Sequence, residues 1–432
     1  MKKGGTFVFS LLSGLGFFIS PVLSLIFSLP LIFYYFPEKL LFYLVPLYPL
    51  MDFFVRRSFT SISSIWDEGF LILLFLILLI RIKRKSVVFT EIINPVLLFL
   101  FFLSLSLLKS NIPLSAGIDG IRSYLEMFLF FIVVVNFTSN KEDIRKIIDI
   151  SLVSVSIVSI YAIYQFIVKV PIPPSWVDKD LEMGIATRAF SIFTSPNALA
   201  GYLILILPLV FILFLNEKGI KKYIYLFVTL ISLSALLFTL TRGAWLSIFL
   251  AFFFFALTYK DKRIFLLLVI IIVLSYFIPQ VRTRFMNLLS PVYIEKARTY
   301  GRIYRWSLAI DIFKRNPILG VGPGGFGGAV ASRVGFFEGI YVDNYYLKTL
   351  VETGIFGFIS FLYMIFTMIK RGIATVVNRN DGFLKSVALG ITFGIIAFLI
   401  NNITENLWEV VPLSVTMWTL AGILFSIRRI ND

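Results

Sequence analysis

The chain has 432 residues, 59% of them hydrophobic and 17% aromatic, with a mean hydropathy of +0.92. Only 15% are charged, against roughly a quarter in soluble domains. Apolar runs of helix-spanning length recur from end to end and do not alternate, so a polytopic α-helical membrane protein is expected, and a transmembrane barrel is excluded.

The net charge of +16 does not indicate nucleic acid, because the Lys and Arg residues stand in short clusters between apolar runs, where membrane topology accounts for them. With no Cys, thiol and metal-thiolate chemistry are absent. With no His either, a general base must be Asp, Glu, Lys or Tyr.

Met1-Lys2-Lys3 opens an apolar stretch without a small-x-small cleavage site and reads as an uncleaved first span. In order, the expected spans are 6–20, 21–36, 38–54, 67–82, 92–108, 121–137, 144–168, 196–215, 221–240, 243–258, 263–279, 345–369, 384–402 and 408–427. Pro21, Pro30, Pro37, Pro46 and Pro49 cut the first region into pieces barely long enough to cross. About 12–14 spans in a single integral membrane domain over 1–432 are therefore expected. The basic clusters from Lys2-Lys3 to Arg428-Arg429 fall on alternate loops, so both termini are expected in the cytoplasm; Arg56-Arg57 is the misfit.

That orientation places 169–195 and a large loop, 280–344, outside the cell. The second loop is rich in Arg and Lys, against the topological trend. Within it, 302–315 has helical spacing, with Ile303, Trp306, Ile310 and Phe313 on one stripe and Arg302 and Arg305 beside it. Such a helix either lies on the membrane surface or packs on the bundle with its arginines toward a cavity. Next, Gly320-Val321-Gly322-Pro323-Gly324-Gly325 fits the dinucleotide-binding expression but has no preceding strand, so that meaning is rejected. A sharp turn, or backbone N–H groups converging on an anion, remain as readings.

Three further features belong with this loop. Thr241-Arg242-Gly243 places an arginine at a tight turn between two spans. Arg188 leads into Asn197 beside a helix start at Pro196. Asp343-Asn344 opens the 345–369 span, with Lys348 and Glu352 in its first two turns. Snorkelling toward headgroups explains a lone arginine at a membrane edge, but less well several converging from separate loops.

The ordered succession R-A-F-S-I-F-T-S-P-N, T-R-G-A-W, G-R-I-Y-R-W-S-L-A, N-P-I-L-G-V-G-P-G-G-F and D-N-Y-Y-L-K-T-L-V-E-T-G resembles the O-antigen ligase and polymerase superfamily over roughly 185–360. The resemblance implies a bacterial inner-membrane glycosyltransferase of GT-C type, using neither metal nor other cofactor. It would move a glycan from an undecaprenyl-diphosphate-linked oligosaccharide onto an acceptor glycan or glycolipid at the extracytoplasmic face. Membrane lipids are then partners and nucleic acid is not. Carried over by position, the essential arginines match Arg242 and Arg302, with Arg305 as fallback and Arg188 a further diphosphate ligand. Asn344, Asn197, Gly322 and Gly324 would support the site.

The family's usual His-Asn pair falls on Asp343-Asn344, so a carboxylate, Asp343 or Glu352, would handle the acceptor hydroxyl. Neighbouring arginines are expected to lower the pKa of Asp343 and weaken it as a base. Ligase and polymerase both remain open. A transporter or flippase of lipid-linked oligosaccharides is the alternative, though Glu126, Asp149 and Glu352 lie toward span ends rather than at the midplane that ion coupling favours.

Overall fold

The computed structural model describes residues 10, 38–60, 63, 65–82, 87–171, 173, 187–259, 276–277, 281–283, 286 and 290–430. The expected spans 6–20, 21–36 and 263–279 lie almost wholly outside the described residues. Elsewhere the chain is an all-α polytopic bundle, and its one β feature among the described residues is an isolated bridge between Gly327 and Tyr341.

Short pieces come first. Pro46 and Pro49 divide the 38–54 stretch into α1 (Glu38–Tyr43), a 3-10 turn and α2 (Tyr48–Ser58), since a proline lacks the N–H that would carry a helix through. Then follow α3 (Trp66–Ile82), α4 (Ile93–Lys109), α5 (Leu114–Leu125), α6 (Phe128–Phe137) and α7 (Lys141–Ile167). The expected continuous span 121–137 is thus corrected to two helices. They part at Glu126-Met127, where the Leu129 and Phe130 N–H groups turn back onto the Glu126 and Met127 carbonyls, at 3.0 and 3.1 Å.

The remaining long helices are α8 (Pro196–Asn216), α9 (Ile220–Phe238), α10 (Arg242–Tyr259), α14 (Tyr345–Val377), α15 (Gly382–Asn401) and α16 (Val411–Ile427). Between α10 and α14 lie α11 (Pro291–Thr299), α12 (Arg302–Arg315) and α13 (Ala329–Val334). Among the described residues five helices, α7, α8, α9, α14 and α15, are long and apolar enough to cross a membrane, and α4, α10 and α16 are shorter apolar helices.

Helix α8 runs through the middle, apolar all round and buried along most of its length. It packs on α15, α9 and α10, while α14 packs on α4 and α16 on α6. The α8–α15 approach is close, because α15 turns Gly390 and Gly394 toward α8. A Cβ at Gly390 would strike the Leu209 backbone, and one at Gly394 the Leu205 carbonyl. This small-x-x-x-small spacing lets two helices meet where apolar burial gives no drive in lipid.

Charges sort to the two ends. At one end Lys141 pairs with Asp381, Arg371 meets Glu91 at 2.8 Å and Arg429 donates to the Val135 carbonyl at 2.8 Å. Arg56, the topological misfit, is at the other end, matched by Asp52 at 2.7 Å and Asp67 at 3.1 Å. The starts of α8, α10, α14 and α16 gather at that second end, beneath α11–α13.

Gly394→Val is expected to force α8 and α15 apart, costing about 1–3 kcal/mol and lowering the melting temperature of detergent-purified protein. Gly382→Ala, where an added methyl meets nothing within 4 Å, is expected to leave it unchanged. Equal melting of the two variants would refute the close-packing account.

Candidate active site

The site is built from a broken helix and the loop that fills the break. Within α14, Gly354 leaves helical geometry with φ 64°, ψ −171°, a conformation that a side chain would oppose. The neighbouring segment takes up two of the carbonyls and one of the N–H groups at the break. Val321 N–H donates to Val351 O and Gly322 N–H to Glu352 O, both at 3.0 Å, and Ile355 N–H donates to Pro317 O at 2.9 Å. Ser106 adds its hydroxyl to Glu352 O at 2.7 Å. The glycine-rich turn is therefore a backbone plug: Gly320 (φ 72°), where a Cβ would strike the Val351 and Glu352 backbone, lets it enter the break, Gly322 (φ 105°) passes Ser110 and Ile112, and Gly324 (φ 78°) lets it lie on α5.

Over this plug lies α12. Its buried residues are Ala309 and Ile312, which with Phe326, Val342 and Val351 form a small core, and Trp306 and Phe313 pack at the margin. The expected apolar stripe is corrected here: Ile303 and Ile310 are exposed, at 49% and 43%. Arg302, Arg305, Ala309 and Ile312 share the inward face instead, at spacings of three and four. Ion pairing by the two arginines at its start matches this rotation.

Arg302 reaches Glu405 Oε1 at 2.7 Å and stands 4.0 Å from Asp343. Arg305 meets Asp343 Oδ2 at 2.6 Å and the Tyr341 carbonyl at 3.0 Å. Asp343 itself has φ 47°, a left-handed conformation that Asp tolerates better than most residues and that turns its carboxylate back under α12. Next to it, Asn344 caps α14 by accepting the Leu347 N–H at 2.9 Å.

Arg242 opens α10 and stacks over the Tyr293 ring, 5.1 Å from its centroid. Tyr293, on α11, also stands beside the Arg302 side chain. The two arginines, far apart in sequence, thus converge on one tyrosine. Leu240, at φ 53°, makes the sharp reversal from α9 that places Arg242 there. Carbonyls exposed at the end of α9 are met by Arg188 Nε on Thr239 O at 2.9 Å, Ala189 N–H on Phe238 O at 2.9 Å, and Trp245 Nε1 on Leu236 O at 3.1 Å. Buried Arg188 also donates to Asn197 and Thr241, both at 3.2 Å. It braces the turn that presents Arg242.

Asn197 links this brace to the acidic centre, donating to Glu405 Oε1 at 2.8 Å. Glu405 was not singled out from the sequence. Its signal was slight, a carboxylate in the polar 401–406 link between two apolar runs. Burial is the main cause that raises its pKa, to about 7, helped by Asp343 and opposed by Arg302 and Asn197. For Asp343 the expected lowering is corrected. Burial outweighs Arg302 and Arg305, and the carboxyl is shifted upward.

Glu352 stands apart from the arginines. It is fully enclosed, bonded to Lys348 Nζ at 2.6 Å, the Tyr124 hydroxyl at 2.6 Å and the Phe326 N–H at 3.1 Å. Lys348 also faces Glu409 at 3.2 Å, and Glu409 accepts the Ala329 N–H at 3.0 Å. This second network ties α14 to α5, α13 and the start of α16. Among the described residues no group of three or more carboxylates forms a metal-type cluster.

An apolar helical bundle with guanidinium and carboxyl groups collected at one end defines a polytopic membrane protein with a polar cluster at that end. Residues 227–362, from α9 into α14, match the family model described as O-antigen ligase. Over that stretch, less than half of the chain, the protein is similar to the O-antigen ligase and polymerase superfamily, of surface polysaccharide biosynthesis. The match includes Arg242, Arg302, Arg305 and Asp343, while Arg188, Asn197 and Glu405 lie beyond it. No curated protein matches the chain.

Two outcomes are expected. Glu405 is held protonated in the folded state well above its ordinary value of 4.5. The native chain therefore binds the extra proton between that value and about 7, and stability falls as pH rises through this window. Glu405→Gln is expected to flatten that part of a melting-temperature profile against pH; an unchanged slope would contradict it. Lys348→Met leaves two enclosed carboxylates without a counter-charge and is expected to cost about 3–5 kcal/mol. Adding Glu352→Leu should recover part of the loss, read by thermal unfolding.

Proposed function

We propose that this protein is a GT-C-type glycosyltransferase of the bacterial plasma membrane, a single integral membrane unit with both termini cytoplasmic. It transfers a glycan from an undecaprenyl-diphosphate-linked donor to an acceptor hydroxyl at the outer face. The observation that carries the reading is the meeting of Arg242 and Arg302 at Tyr293, on the same end as Asp343 and Glu405. A diphosphate leaving group gains charge as its bond to the sugar breaks, and fixed guanidinium groups aimed at that charge lower the barrier.

In this reading Arg242 and Arg302 hold the diphosphate. Arg305 keeps Asp343 in place, and Glu405 with Asn197 fixes the Arg302 guanidinium; Arg188 acts through the Arg242 turn rather than on substrate. The acceptor oxygen attacks the anomeric carbon, and the bond from that carbon to the diphosphate oxygen breaks. The electron pair leaves with the lipid diphosphate, and the hydroxyl proton passes to Asp343. The upward shift of the Asp343 pKa makes it a better proton acceptor than a carboxylate beside two arginines would ordinarily be. Enclosed Glu352 serves architecture.

Arg242→Ala and Arg302→Ala are each expected to reduce transfer from a defined lipid-linked donor by at least a hundredfold, consistent with about 3 kcal/mol or more of lost transition-state stabilisation, while melting stays near wild type. Asp343→Asn is expected to lower kcat more than KM. Mass spectrometry of the products reads all three. Full transfer by either arginine variant would overturn the assignment. The same products separate the two activities: lengthening carrier-linked glycan marks a polymerase, and preformed glycan on a non-carrier acceptor marks a ligase.

A further inference from the structure

A cavity of about 540 Å³ opens at the far end of α12, between the end of α4, the 316–321 segment and the 336–337 turn. Helix α12 has 14 residues, so this cavity is about 20 Å from Arg302 along the helix. It is lined by Lys109, Arg315, Asn111, Asn316, Phe336 and Phe337, and the glycine-rich turn forms one wall. Neither Lys109 nor Arg315 makes an ion pair among the described residues. Each is in the last turn of its helix, where the helix dipole favours a cation, so their presence alone decides nothing.

The rest of the lining does. A carboxamide both donates and accepts, which matches the hydroxyls of a sugar; Asn316 also donates from Nδ2 to the Ile312 carbonyl at 3.4 Å. Phe336 and Phe337 offer apolar ring surface, and Phe337 is held at φ 47° while packing edge-on to Phe326, centroids 5.7 Å apart. Two cations without an ion-pair partner among the described residues, two carboxamides and two rings around a space of this size suit one or two sugar units bearing a carboxylate.

We propose that this cavity is a subsite for an acidic sugar of the glycan, remote from the bond that reacts. The proposal rests on the glycosyltransferase reading for its biological ligand but is a separate binding site. Its wall is the turn that plugs α14, so a glycan anchored here would lie along α12 with its reacting end toward Arg302. Contacts distant from the reacting bond can orient the group that does react.

The test uses the detergent-purified full chain and isothermal titration. The probe is a tetrasaccharide of alternating glucuronic acid and N-acetylhexosamine, with its carboxyl-reduced counterpart as control. The acidic probe is expected to bind at least tenfold more tightly than the reduced one. Lys109→Gln with Arg315→Gln is expected to remove that difference, and Phe336→Ala to weaken both probes, with melting temperatures of all variants checked. Arg302→Ala is expected to bind the acidic probe as wild type does, even where it transfers nothing. Equal binding by wild type and the Lys109/Arg315 variant, or no binding to wild type, would overturn the subsite. So would phosphatidylglycerol nanodiscs that require Lys109 and Arg315 while the saccharide does not. Retained transfer by Arg302→Ala would overturn the catalytic assignment instead and leave the binding result readable.

Discussion

The 2.7 Å pair between Arg302 and Glu405 is the contact on which the site depends, because it joins the helix over the bundle to the link between two of the bundle's own helices. Arg302 comes from a helix lying over the bundle, and Glu405 from the short link between α15 and α16. Through Asn197 the same carboxylate reaches the start of α8 and, beyond it, the Arg188 brace under Arg242. A cation and an anion delivered by separate loops need a stiff base to stay in register, and the bundle supplies one. The α8–α15 contact at Gly390 and Gly394 leads directly into the 401–406 link that carries Glu405.

The pair is also a compromise. Burial pushes Glu405 toward the neutral form while Arg302 pulls it toward the charged one, so the carboxyl is poised where a small electrostatic change alters its state. The Asn197 amide, donating to the same carboxylate at 2.8 Å, adds to the pull toward the charged form.

Much of the architecture was legible because hydropathy reports burial in lipid directly. The long spans from 144 onward stand out as apolar runs, and Arg242, Arg302 and Asp343 stand out as polar residues where such runs end. What was not legible is set by tertiary contact. Nothing in the run 121–137 marks a turn at Glu126-Met127. The stripe on α12 misled because Ile303 and Ile310 have the spacing of a core face, whereas the inward face is set by what Arg302 and Arg305 can pair with. The pKa of Asp343 was misjudged for a similar reason: sequence shows the neighbouring charges but not the burial that opposes them. Glu405 was missed because a single carboxylate in a short link has no pattern.

The two charge networks divide the labour. The outer one, with Arg302, Arg305, Asp343 and Glu405, stays partly open to solvent, and Arg302 and Asp343 keep 37% and 22% of their side-chain surface. The inner one, with Lys348, Glu352 and Glu409, keeps 3% or less. A sealed ion network is a poor source of net stability, but breaking one partner is costly, so it enforces one arrangement of the elements it joins. Those elements are the start of α16, the loop before α13 and α14 itself. Tyr341 spans both layers: its hydroxyl lies 3.4 Å from Glu409, and its carbonyl accepts from Arg305. The sealed network thereby fixes the height of the 341–343 segment, and with it the position at which Asp343 meets the arginines.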